Sequence, residues 1–135
     1  MKRAKFMLCC ILCPVILFSA CSKASDTNSS YHKITAQEAK RMLDSREGIL
    51  IDVRTPEEYA LSHIPGAILI PNESIGEKKP EELSSLSEPL LIYCRSGRRS
   101  KEAAEKLTRL GYTAVYDFGG IVDWPYEVTS GGVQK

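Results

Sequence analysis

Leu90-Leu-Ile-Tyr-Cys94-Arg-Ser-Gly97-Arg-Arg-Ser100-Lys-Glu-Ala-Ala-Glu-Lys-Leu-Thr-Arg-Leu110-Gly111 is the stretch that decides the fold. Leu90 to Tyr93, entered from Pro89, is an uninterrupted apolar run, the pattern of a strand covered on both faces. From Ser100 to Leu110 the period changes. Ala103, Ala104, Leu107 and Leu110 line one face, while Glu102/Lys106 and Glu105/Arg109 stand at i,i+4 spacing on the other. Gly111 occupies the place of a C-terminal cap. A buried strand feeding a helix through a short polar turn is the building unit of α/β domains.

The flanks repeat this alternation. Ile49-Leu-Ile-Asp-Val53 is a β run between Gly48 and Thr55-Pro56, and Ala67-Ile-Leu-Ile70 is another, stopped by Pro71. Thr35-Ala-Gln-Glu38 has capping-box spacing, and Ala39, Met42 and Leu43 continue an apolar helix face. Pro56 suits the first turn of a short helix. Residues 72–88 read as a polar connection with one helical turn. Ala114-Val-Tyr116 is a last strand, followed by Gly119-Gly120. Together these predict an α/β domain whose mostly parallel sheet is buried on both faces.

The chain has 135 residues, 18 basic against 17 acidic, and five cysteines. That length suits one domain, the charge balance gives no reason to expect nucleic-acid binding, and the composition is too apolar for disorder. An odd cysteine count excludes a fully paired disulfide framework within one chain. Charge and cysteine are unevenly spread, however. Lys2, Arg3 and Lys5 precede an apolar run from Phe6 to Phe18, broken only by Pro14. Spanning a bilayer takes ~20 residues, so this run has instead the length and flanks of a signal-peptide core.

The run ends in Phe18-Ser-Ala-Cys21, which resembles the lipobox of bacterial lipoproteins. That resemblance implies a signal peptide over residues 1–20 and acylation of Cys21 as the first mature residue. Residues 21–30, polar and small, form a flexible tether, and residues 31–135 form the domain. Without Lys2, Arg3 and Lys5 the mature chain holds 15 basic and 17 acidic residues, a net charge of −2. Cys21 and Cys94 are then its only cysteines. The expected location is the cell envelope, lipid-anchored, with the domain in the periplasm or otherwise outside the cytoplasmic membrane. An unpaired cysteine in an oxidising compartment calls for an explanation.

Cys94 lies between the end of the buried strand and the start of the best helix, where open α/β sheets bind ligands. Curved around an anion, the backbone N–H groups of such a loop make a cradle, and the helix N-terminus adds partial positive charge. Gly97 permits a backbone conformation that a side chain forbids. Arg95, Arg98 and Arg99 crowd positive charge around one sulfur. These features lower a thiol pKa from its ordinary ~8.5 and leave a nucleophilic thiolate. A buried structural cysteine is the plainer reading of a lone Cys, but the strand-Cys-Gly-Arg-helix context favours function. Cysteine-based phosphatases and arsenate reductases use similar loops, with the clamping arginine after five intervening residues. Here Ser100 holds that position and Arg99 comes one residue early, which disfavours phosphoryl chemistry.

Cys94 to Ser100 resembles the active-site loop of single-domain rhodaneses, the thiosulfate sulfurtransferase family. The likeness extends to Ile51-Asp52-Val53-Arg54, Glu57-Glu58-Tyr59, His63-Ile64-Pro65-Gly66-Ala67, and Gly119-Gly120-Ile121 with Trp124, over about residues 31 to 128. It implies a rhodanese-like α/β fold, a central mostly parallel sheet of about five strands with helices on both faces. It also implies sulfur transfer through a Cys94 persulfide, from a small anionic donor such as thiosulfate to cyanide or a thiol, including a partner protein's thiol. On this reading Cys94 is catalytic, and Arg95, Ser96, Gly97, Arg98 and Arg99 form the anion-binding loop. Asp52 and Arg54 support it by a salt bridge, His63 serves a turn and Trp124 packs. No cofactor is needed, and no metal-ligand spacing occurs. A monomer is expected. A non-catalytic persulfide carrier or sulfur-binding module would need the same cysteine, so the sequence leaves both readings open. A degenerate interaction module is weakened by the retained cysteine.

Overall fold

The computed structural model describes residues 29–132; the expected signal peptide over residues 1–20, Cys21 and most of the expected tether lie outside the described residues. Strands and helices alternate as β1 (Tyr31–Lys33), α1 (Ala36–Asp44), β2 (Ile49–Asp52), α2 (Pro56–Leu61), β3 (Ile68–Leu69), β4 (Leu90–Cys94), α3 (Arg98–Arg109) and β5 (Val115–Gly120). Two 3-10 turns, Asn72–Ser74 and Ile121–Asp123, complete the order. The five strands form one sheet in the order β1-β5-β4-β2-β3, with every pair parallel. The fold is the expected α/β class, with β4 at its centre.

Side-chain alternation along β4 divides the core. Leu90, Ile92 and Cys94 face Ala103, Ala104 and Leu107 of α3. Leu91 and Tyr93 face the other way, toward Ala39 of α1, Tyr59 of α2, and Phe118 and Trp124. Each large apolar side chain buried this way contributes about 1.5–3 kcal/mol, which locks the strand register. Both helices over the second face start with a full capping box, Thr35 with Glu38 and Thr55 with Glu58. Among the described residues no helix is long and apolar enough to cross a membrane.

Three departures from the sequence expectation have a clear physical cause. β1, Tyr-His-Lys, is a half-buried edge strand without an apolar run, and its backbone pairing to β5 makes it a strand. β5 runs on to Gly120 because Asp117, loop-like by composition, has its carboxylate fully paired inside the protein. α3 begins at Arg98 rather than Ser100, because Gly97 adopts φ +104° and completes the turn at once. Arg98 and Arg99 are therefore helical residues, not loop residues.

Candidate active site

The β4–α3 turn needs one left-handed residue, and Gly97 supplies it. Its N–H donates to the Cys94 sulfur at 3.0 Å. Cys94 is a free cysteine, 1% exposed, with its sulfur inside the turn. Burial pushes its thiol up, yet the backbone N–H groups of Ser100, Gly97 and Ser96 around the sulfur carry it below the ordinary value. Because Gly97 has no side chain to cap α3, the donors at that helix end stay free for the sulfur or for a charge developing on it.

Another close approach shapes the turn. Between β4 and β5 the register shifts, pairing Ile92 with Asp117 but Cys94 with Gly120. The displaced strand brings Gly120 so near the turn that a Cβ there would lie 2.1 Å from the Arg95 carbonyl oxygen. That carbonyl accepts from Val122 N–H at 3.3 Å. Gly120 is thus a backbone-contact requirement, whereas Gly119 is held there by its φ of +91°.

The three arginines separate. Arg95 is exposed, and its side chain has no hydrogen-bond or ion-pair partner among the described residues. Arg98 points to solvent and pairs with Glu102 at 3.7 Å. Arg99 is half-buried and forked onto Glu58, with Nη1 to Oε2 at 2.6 Å and Nη2 to Oε1 at 2.9 Å. Arg99 holds the Glu58 carboxyl far down, at about 2. Glu58 also accepts from Thr55 N–H in its capping box, so Arg99 joins α3 to the start of α2. Sequence reading had Glu58 only as part of a motif; the Thr55-to-Glu58 spacing was the available signal.

Beside this turn, the end of β2 closes on itself. Asp52 is fully buried and takes Arg54 Nε at 3.0 Å, Nη2 at 2.6 Å and the Arg54 N–H at 2.9 Å. Arg54 Nη2 also donates to the Ser62 carbonyl at 2.6 Å, and the guanidinium lies 5.6 Å from the Tyr93 ring centre. His63 Nδ1 sits 2.9 Å from the Tyr59 carbonyl, its ring stacks on Tyr59, and its backbone pairs with Thr129. Trp124 packs on Phe118 and donates Nε1–H to the Glu127 carbonyl. A cleft of about 230 Å³ opens between these parts, with Arg54, Glu58 and Arg95 on its polar side and Leu61, Ile121 and Val122 on its apolar side. Among the described residues no three His, Cys, Asp or Glu side chains converge as metal ligands would.

Ser100 and Asp117 are the residues that sequence reasoning missed. Ser100 is buried, sends its N–H toward the Cys94 sulfur and donates its hydroxyl to Asp117 Oδ1 at 2.7 Å.

A family model for the rhodanese-like domain matches residues 35–126. The chain is 40% identical over 73 residues to thiosulfate sulfurtransferase PspE of Escherichia coli (strain K12), covering 54% of this chain and 70% of that one. It is 38% identical over 103 residues to the putative sulfur carrier protein YrkF of Bacillus subtilis (strain 168), covering 75% of this chain but only 55% of the relative. Among solved structures, a rhodanese with anions from E. coli superposes with a TM-score of 0.57 at 36% identity, over 62% of this chain and 98% of that one.

Proposed function

This chain belongs to the rhodanese family, and from that premise we propose that it moves a sulfane sulfur from thiosulfate or a similar anion to a thiophilic acceptor through a Cys94 persulfide. The observation that carries the proposal is the turn itself: one buried sulfur, a Gly97 N–H 3.0 Å away, and a thiol drawn below its usual value by converging donors despite burial. In the first step the Cys94 thiolate attacks the outer sulfur of thiosulfate. A new sulfur–sulfur bond forms, and the bond inside thiosulfate breaks with its electron pair leaving on sulfite. In the second, cyanide carbon attacks the terminal persulfide sulfur and leaves as thiocyanate, while the electron pair returns to Cys94 as thiolate. Splitting one exchange into two nucleophilic steps lowers each barrier. The N–H groups of Ser96, Gly97 and Ser100 hold the persulfide anion as they hold the thiolate, as fixed donors aimed at developing charge. Arg95, exposed at the cleft, supplies long-range attraction for an anionic donor.

The likeness to a putative sulfur carrier supports a second reading, in which the persulfide is handed stoichiometrically to a partner protein. One experiment separates them. With thiosulfate, the wild type should gain one sulfur by intact mass, and cyanide should then yield thiocyanate over many turnovers, while Cys94→Ser does neither. Loading without turnover would favour the carrier; loading of the Ser variant would end both readings.

We extend the proposal to location: Cys21 carries a lipid anchor, and a polar tether holds the domain outside the cytoplasmic membrane, as a monomer. Cys21→Ala should move the protein from the membrane to the soluble fraction, and an unchanged distribution would refute the anchor.

A further inference from the structure

Asp117 is a carboxylate with no exposed surface in the middle of the sheet, between β1 and β4. Such a charge is costly unless every oxygen is served. Its Oδ2 accepts from Lys33 Nζ at 2.9 Å and from the Tyr31 hydroxyl at 3.1 Å. Its Oδ1 accepts from Gly119 N–H at 2.9 Å and from the Ser100 hydroxyl at 2.7 Å. The Ser100 hydroxyl has one proton and three acceptors within reach: Asp117, the Gly97 carbonyl at 3.1 Å and the Gly119 carbonyl at 3.2 Å. The charged and nearest acceptor takes it. Ser100 is therefore held in one orientation from behind while its N–H serves the sulfur in front. Packing alone does not require a carboxylate here, since an apolar residue in a sheet core avoids the cost of burying charge.

We propose that Asp117, anchored by Lys33 and Tyr31, is a positioning residue for Cys94, acting through Ser100 to keep the N–H donors of the turn converged on the sulfur. The inference rests on reading Cys94 as a reactive thiolate, and it adds a line from the edge strand β1 through β5 and α3 to the nucleophile. Other charged groups face this line. Lys101 lies near Asp117, Glu105 near Tyr31, and Arg99 near Cys94 with Glu58 and Glu73 beside it. A test must therefore leave net charge unchanged.

The test is a cycle read by the pH midpoint of Cys94 alkylation with iodoacetamide, which needs no sulfur transfer. Ser100→Ala keeps the N–H but loses the hydroxyl bond to Asp117 that orients it, and should raise the midpoint by about one pH unit as that donor drifts from the sulfur. The charge-neutral double variant Lys33→Met with Asp117→Asn should raise it similarly in the wild-type background and leave it unmoved in the Ser100→Ala background. Lys33→Arg, which keeps the ion pair, should keep the wild-type midpoint. Equal shifts in both backgrounds, or a lower melting temperature with no shift, would overturn the proposal. Should the double variant fail to fold, a folded Ser100→Ala with an unmoved midpoint overturns it alone. A chain showing these shifts but taking no sulfur from thiosulfate would sink the sulfur-transfer reading and support this one.

Discussion

The turns after β2 and β4 are neighbours in one parallel sheet, with Asp52 in register with Tyr93, and both lead from a buried strand into a helix. They differ in how the helix end is served. After β2, Thr55 and Glu58 cap α2 reciprocally, and Arg54 folds back on Asp52, so that the donors there serve the cap and the buried ion pair. After β4, Gly97 caps α3 without a side chain, and the donors left over point at a sulfur. A side-chain cap makes a structural corner; a glycine cap leaves a site for an anion. The first turn also braces the second, because Glu58 holds Arg99.

The comparison can be broken from either side. The largest effect should come from Arg54→Ala, which strands the fully buried Asp52 carboxylate without its cation. Breaking a buried pair this way costs about 3–5 kcal/mol. A denaturant melt reads it, and an undiminished stability would show that Asp52 finds other partners. Next comes Gly97→Ala, which forces a side chain to φ +104° at a cost of about 1–2 kcal/mol. It should also raise the alkylation midpoint of Cys94. The sign follows from the pairing: the native thiol sits below its ordinary value, so reactivity is lost only when pH falls through that lowered pKa. Moving the Gly97 N–H away lets burial dominate, and reactivity is lost at higher pH. Its smaller counterpart, Thr55→Ala, removes a side-chain cap for about 1 kcal/mol and should leave the midpoint in place. A midpoint that moves with Thr55 would mean the two turns share more than the Glu58–Arg99 contact.

Much of this was legible in the residue order, for physical reasons. A fully buried parallel strand must be apolar throughout, so Leu90 to Tyr93 stood out; a helix over it must repeat every three to four residues, so Ala103 to Leu110 did too. Cys94 was legible because strand, glycine and helix surround it within a few residues. β1 was not, because an edge strand held by backbone pairing needs no apolar pattern. Nor were the fates of the three arginines. Residues Arg95, Arg98 and Arg99 look alike in sequence, but α3 starts at Arg98, turns that side chain to solvent and carries Arg99 to Glu58, 41 positions away.

Taken alone, then, the five cysteines and near-neutral charge said only that no complete disulfide framework exists, while local order singled out the α/β class and Cys94. What surrounds that sulfur was decided in three dimensions. Ser100, Asp117 and Lys33 come from three different elements, and Glu58 from a fourth. No local pattern records such meetings, because a buried charge chooses its partners by what the sheet order brings within hydrogen-bond reach.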